Sequence, residues 1–267
     1  MKPEEVISEV LKSIAEKAAV GVNLLELEKR AETAIAMRGA ESVNKGYKPE
    51  SANTLFPSVV CLGVNEQIGH SIPKDYVLQE GDLLKIDCGI KINGKVGDAA
   101  LTVPIGKISD RDERLLRYAK RALYHGIRAI KAGGKITDVG KAIEPYIEQM
   151  GFKIIKQMNG HGIGEQMHIE PTIPHFVLPV QQKKIKQGKY EHIEQDLGMF
   201  QLGQVVCIEP HIAYNESVIR EPDGWGLKTG DGHKSAMFEA MVEVTSYGFN
   251  VLTSHLDFND CREDVGK

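Results

Sequence analysis

Leu78-Gln79-Glu80-Gly81-Asp82-Leu83-Leu84-Lys85-Ile86-Asp87 and Phe200-Gln201-Leu202-Gly203-Gln204-Val205-Val206-Cys207-Ile208-Glu209 are two versions of one phrase. Gln, Gly, a pair of aliphatic residues, Ile and a terminal acid recur in register, 122 positions apart (87 to 209). Two similar strands therefore each deliver a carboxylate to the same place, and a duplicated scaffold can build one acidic metal site from its two halves.

The surroundings of each phrase repeat as well. Before the first, Val6, Val10, Ile14 and Ala18 recur at helical spacing between Pro3 and Gly21, and a second helix follows with Asn23 as cap and Gly39 as stop. Short apolar runs broken by Pro57, Asn65, Pro73, Gly81, Gly89 and Asn93-Gly94 then read as strands and turns. Before the second phrase, Ser109 caps an amphipathic helix ended by Gly133-Gly134, and a shorter helix runs from Thr137 to Met150. The remainder to about Leu252 is again strand-like, with turns expected at Gly160, Pro171, Pro210 and Gly224. Helix, helix, strands thus occurs twice, which predicts one α+β domain over 1–267 with halves of about 1–107 and 108–267. The polar, basic stretch Gln181 to Lys189 reads as an inserted solvated loop.

Bulk properties narrow the function. With 267 residues there is material for a sizeable core. A formal net charge of −4 gives no electrostatic case for binding nucleic acid or an anionic membrane. No run of about 18 apolar residues is present to span a bilayer, and the start of the chain lacks the apolar run of a signal peptide. Cys61, Cys88, Cys207 and Cys261 form no C-x-x-C pair and are too sparse for a disulfide framework, so reduced thiols in the cytoplasm are the expectation. In that compartment Asn215-Glu216-Ser217 carries no weight as a glycosylation match.

The chemistry is concentrated in four places. Ile86 to Asp98 reads as two strands joined at Asn93-Gly94, the strongest short hairpin signal. If Ile92 faces Lys95, Gly89 faces Asp98 and Asp87 faces Ala100. Asp87 and Asp98 then share a face as diagonal neighbours about 7–8 Å apart at the backbone, near enough to meet over an ion. A lone carboxylate on the covered face of such an apolar strand would cost several kcal/mol unless paired or metal-bound. His161, between Gly160 and Gly162, is a second candidate, because flanking glycines let backbone and ligand approach closely. Taken alone it fits an ordinary loop histidine better than a ligand, and His168 alone is a weaker signal still. Glu209 comes from the repeat; Glu239, in Ser235-Ala236-Met237-Phe238-Glu239, fits an exposed strand residue equally well. Two Asp, two Glu and one His form an oxygen-rich set, too large for one tetrahedral zinc, that suits two divalent ions sharing carboxylates in hydrolysis.

The motifs Phe56-Pro57 to His70-Ser71-Ile72-Pro73, Gly81 to Gly89, Gly97-Asp98, Gly160 to Gly164 with His168-Ile169-Glu170-Pro171, Ile208-Glu209-Pro210 and Ser235 to Glu239 together resemble the methionine aminopeptidases. The resemblance covers almost the whole chain. It implies the pita-bread fold, a curved antiparallel sheet covered by two pairs of helices about a pseudo-twofold axis. Trp225 and the short approach to Glu209 resemble the type I branch rather than type II, which carries a large helical insert there. By resemblance, Asp87, Asp98, His161, Glu209 and Glu239 hold two divalent ions, Co, Mn, Fe or Zn, and Glu209 takes a proton from the attacking water. His70 corresponds to the histidine near the scissile bond and His168 to the one that hydrogen-bonds the substrate carbonyl. Phe56, Cys61, Met167 and Trp225 would line the methionine pocket. The activity so implied removes the initiator methionine from nascent chains with a small second residue. A transient encounter with ribosomes is compatible with that, and a monomer is expected. Two departures stand out: Ala240 replaces a common histidine and Asn53 a common pocket tyrosine.

Two other readings compete. A proline-directed aminopeptidase or prolidase of the same superfamily normally carries a large amino-terminal domain and an arginine motif before the last glutamate, and Ser235 to Glu239 lacks that motif. A non-catalytic binding protein on the same scaffold would have lost ligands and gained basic surface.

Overall fold

In a computed structural model describing residues 1–49, 52–184, 190–193 and 195–261, the doubled phrase becomes a doubled architecture. Helices α1 (Pro3–Ala15) and α2 (Leu24–Met37) cover one half, and α3 (Asp110–Arg128) and α4 (Asp138–Gln149) cover the other. Among the described residues, the strands between them pair antiparallel. Among the described residues no helix is long and apolar enough to cross a membrane.

The helix starts follow the capping chemistry in the sequence. Asn23 Oδ1 accepts the Leu25 N–H at 2.9 Å, and Ser109 Oγ accepts that of Asp112 at 3.2 Å. Asn23→Ala is therefore expected to cost about 1 kcal/mol, measured as a lower urea midpoint with an unchanged slope. Helix ends depart from the expectation. α1 stops at Ala15, and Gly21 N–H is taken up by Leu78 O. α3 stops at Arg128, not at Gly133-Gly134, because Gly133 N–H bonds Phe200 O and Phe200 N–H bonds Gly134 O. A cross-chain pairing, invisible to local periodicity, competes with the last turn.

The hairpin has the register its turn requires. Asn93 and Gly94 both take positive φ (52° and 78°), the conformation of a type I′ turn. Leu83–Ile92 pairs with Lys95–Pro104 so that Gly89 faces Asp98 and Asp87 faces Ala100. In the other half, Val205–Ile208 runs between Ala240–Thr245 and Asn159–Gly162.

The halves are sewn together along one seam. Glu239 N–H donates to Ala100 O at 2.9 Å. Thr102 Oγ1 donates to Met237 O and accepts from Met237 N–H. Lys85, flanked by Leu84 and Ile86, is buried and donates to Asn65 O at 2.7 Å and Ser235 O at 3.0 Å. Each half has its own core: Val6, Val10, Leu27, Ala31, Leu84, Ile86 and Ile90 in one, Leu115, Leu123, Ile143, Val206, Ile208 and Val242 in the other. Burial of each large aliphatic contributes about 1.5–3 kcal/mol. Rigid walls thus flank the seam that carries the acids.

Two expectations from sequence are corrected. Gly160 and Pro171 lie inside the paired strands Asn159–Gly162 and Ile169–Pro174, not in turns. Gly160 marks close backbone approach instead: a Cβ there would meet Cys207 O at 2.4 Å. The expected loop from Gln181 to Lys189 begins as a strand, with Gln181–Lys184 pairing antiparallel to Tyr190–Ile193. Residues 185–189 of that expectation lie outside the described residues.

Candidate metal centre

The register of the hairpin puts Asp87 and Asp98 on one face, and the seam adds Glu239, opposite Ala100. Carboxylate atoms of these three lie within 4.8 Å of one another. The second copy of the phrase ends in Glu209. His161 faces Cys207 across the neighbouring pair of strands, and its Nε2 stands 3.5 Å from Glu209 Oε1 and 4.0 Å from Asp98 Oδ2 and Glu239 Oε1. All five metal-ligand candidates from the sequence therefore converge. Glu239 is 2% exposed, so its reading as an exposed strand residue does not hold.

The donor set fits divalent cations. Glu239 Oε1 is buried with no hydrogen-bond partner. Among the described residues no lysine or arginine forms an ion pair with any of the four acids. Burial, aggravated by the other acids, pushes Asp87 up to about 8 and raises Glu209 and Glu239 well above the carboxylate range. Burial likewise raises Asp98, to about 6. Four crowded anions without a counter-charge are unfavourable alone and favourable around cations. His161 is prepared in the same sense: Nδ1 bonds Gly162 O at 3.0 Å, so Nε2 carries the lone pair that faces the acids. Burial keeps the ring neutral by lowering its pKa. Cys207 also lies within 4.8 Å of His161 and Glu239, but burial and the neighbouring acids hold its thiol protonated.

The five donors, His70, His168, Phe56, Cys61, Met167 and Trp225 all line one cavity of about 480 Å³. The acids and His161 form its floor. Phe56, Cys61 and Trp225 form an apolar wall, the two rings edge to face at 5.1 Å and the indole N–H donating to Thr54 Oγ1. Met167 lines the cavity too, but it packs with Val96, Ile163, Cys207 and Met241, apart from that wall. His70 and His168 face the open volume, and each is lowered to about 4, chiefly by desolvation, so both are neutral at pH 7.

Sequence reasoning missed the groups that hold these side chains. Tyr47 Oη bonds His168 Nδ1 at 2.7 Å. The absence of tyrosine at Asn53, with Tyr47 a short distance upstream, was the available signal. His175 and His211 bracket the Glu209 peptide, His175 Nε2 accepting its N–H and His211 Nδ1 bonding its carbonyl. Buried Asn44 accepts the Gly89 N–H and donates toward Cys61 Sγ. Tyr47→Phe is expected to lower kcat about tenfold without changing bound metal, since it frees the His168 ring and touches none of the five donors. Steady-state kinetics with metal analysis checks this.

Paired helices over a doubled antiparallel sheet, with an acid-rich floor between the halves, define a metal-dependent hydrolase, and residues 3–246 match the profile of metallopeptidase family M24. The chain is 35% identical over 256 residues to a methionine aminopeptidase from Aquifex aeolicus (strain VF5), covering 94% of this chain and 93% of that one. A crystal structure of methionine aminopeptidase from Thermotoga maritima superposes with a TM-score of 0.83 at 27% identity, covering 94% of each chain. This chain belongs to the methionine aminopeptidases of family M24, and its fold is the pita-bread fold. A prolidase from Pyrococcus furiosus shares the fold at a TM-score of 0.70 and 17% identity, but this chain covers only 61% of it.

Proposed function

We propose that the protein removes amino-terminal methionine from peptides and nascent proteins with a small second residue, using two divalent ions held by Asp87, Asp98, His161, Glu209 and Glu239. The observation that carries this reading is the meeting of that oxygen-rich floor with the Phe56, Cys61 and Trp225 wall in one cavity. Ions at the floor would supply Lewis acidity for amide hydrolysis.

The chain's own groups do the rest. Phe56, Cys61 and Trp225 take the methionine side chain, since a thioether sits well against aromatic and sulfur surfaces. Met167 closes the other side with an adaptable chain. His168, its ring set by Tyr47, orients the substrate carbonyl through Nε2, and neutral His70 stands beside the bond to be cut. Glu209, its peptide clamped by His175 and His211, accepts and returns a proton. These roles account for the uncharged imidazoles of His70, His161 and His168 that line one cavity.

The test is release of methionine from Met-Ala and Met-Gly peptides with Mn, Co or Fe added to chelator-treated protein. Turnover restored by metal supports the reading, and none under any metal overturns it. Bound metal is expected near two ions per chain, measured by elemental analysis.

A further inference from the structure

We propose that Arg220 is a specificity determinant, whose guanidinium at the cavity mouth receives a carboxylate of the bound peptide two or three residues beyond the cleaved bond. This rests on the reading of the cavity as a methionyl-peptide site and adds a preference to it.

The register places Arg220. It ends the strand Val218–Arg220 and faces Leu227, which faces Gly69 on the next strand. Two strand intervals, about 10 Å, thus separate Arg220 from the residue preceding His70. An extended peptide advances about 3.3 Å per residue, so two or three residues past the scissile bond reach the arginine. Arg220 lines the cavity, and Nη1 donates to Gly224 O at 3.0 Å, which holds the guanidinium at the rim.

The neighbouring acids are turned elsewhere. Glu221 Oε2 is taken by Gln67 Nε2 and Lys74 Nζ, each at 3.0 Å. Asp223 bonds the Trp225 and Gly226 N–H groups through Oδ1 and faces Lys74 through Oδ2. Among the described residues no carboxylate forms an ion pair with Arg220, so its other N–H donors are open to a ligand. Its charge is felt inside the cavity, where it adds to burial and His168 in lowering His70. Arginine's planar fork suits a carboxylate, from either the end of a short peptide or an acidic side chain.

The experiment compares kcat/KM for Met-Ala-Ala as free acid and as amide, and for Met-Ala-Glu-Ala amide and Met-Ala-Gln-Ala amide, using the metal-loaded full chain. In the parent protein at least one charged peptide is expected to be favoured about fivefold through KM, the size typical of an exposed ion pair. The first pair reports a terminal carboxylate and the second a side chain. The preference should vanish in Arg220→Gln, survive in part in Arg220→Lys, invert in Arg220→Glu and shrink at high salt. Because each ratio is internal to one variant, a loss of stability cancels. Turnover with the same ratios in parent and variants overturns this proposal alone. No turnover of any of the four peptides overturns the peptidase reading and this proposal with it.

Discussion

Asp98→Asn is expected to cut turnover of methionyl peptides by at least about 10³-fold while leaving the metal-free protein folded. Asp98 is 5% exposed and lies within metal-ligand reach of Asp87 and Glu239 on one side and His161 and His168 on the other. Asparagine keeps its shape but removes one anion from the floor. A loss of 10³ corresponds to about 4 kcal/mol of transition-state stabilisation, the scale at which a displaced ion acts. Metal content should fall in parallel, by elemental analysis. Retained activity with full metal content would show that Asp98 is not part of the centre.

The same variant carries a stability signature that a merely damaged fold would not show. In the metal-free protein burial raises Asp98 from 3.8 to about 6 and Asp87 from 3.8 to about 8. A carboxylate whose folded pKa is raised leaves stability intact below its unfolded pKa and removes it as pH rises through the folded value. Between about pH 4 and pH 8 the metal-free parent should therefore lose stability with rising pH, on the order of a few kcal/mol from these two acids. Asp98→Asn deletes one titration and flattens that slope. Urea midpoints across this window, taken with chelator present, measure it.

How much of this was legible in the sequence depends on the range of the interaction. Asp87 and Asp98 were placed together because an Asn-Gly turn fixes hairpin register locally and the side-chain period of a strand is two. Glu209 was reached through the repeated phrase. His161 was suggested by its glycines, but its pairing with Cys207 is a long-range contact that no local pattern records. The clamps on Glu209 were missed for the same reason: His175 lies 34 positions before the peptide it holds. The partners of buried Lys85 were equally out of reach, because its neighbours are aliphatic and the carbonyls it bonds, at Asn65 and Ser235, belong to other parts of the chain. Ala240 proves to be a wholly buried strand residue opposite Ile208. Asn53 is exposed, and Tyr47 supplies the phenol beside His168.

The close backbone approach at Gly160 sets the other large effect. Gly160→Ala is expected to destabilise the protein by about 3 kcal/mol or more and to weaken metal binding 10- to 100-fold. The new methyl would sit 2.4 Å from Cys207 O and 3.0 Å from His175 Nε2, so the strand carrying His161 must move away from the strand carrying Glu209, and the clamp on the Glu209 peptide loosens with it. Backbone strain is not the cause, since Gly160 is not among the glycines with positive φ. Gly164→Ala supplies the comparison. Four residues along the same segment, its methyl would meet only Ile169 Cδ1 at 3.5 Å, an ordinary contact, and the change should be neutral or stabilise by a few tenths of a kcal/mol. Urea denaturation and calorimetric titration with Mn, run on both variants, separate the two. If Gly160→Ala binds metal as tightly as Gly164→Ala, the spacing between these strands does not set the geometry of the centre. If it binds weakly but recovers activity at saturating metal, the spacing governs affinity while the catalytic groups stay in place.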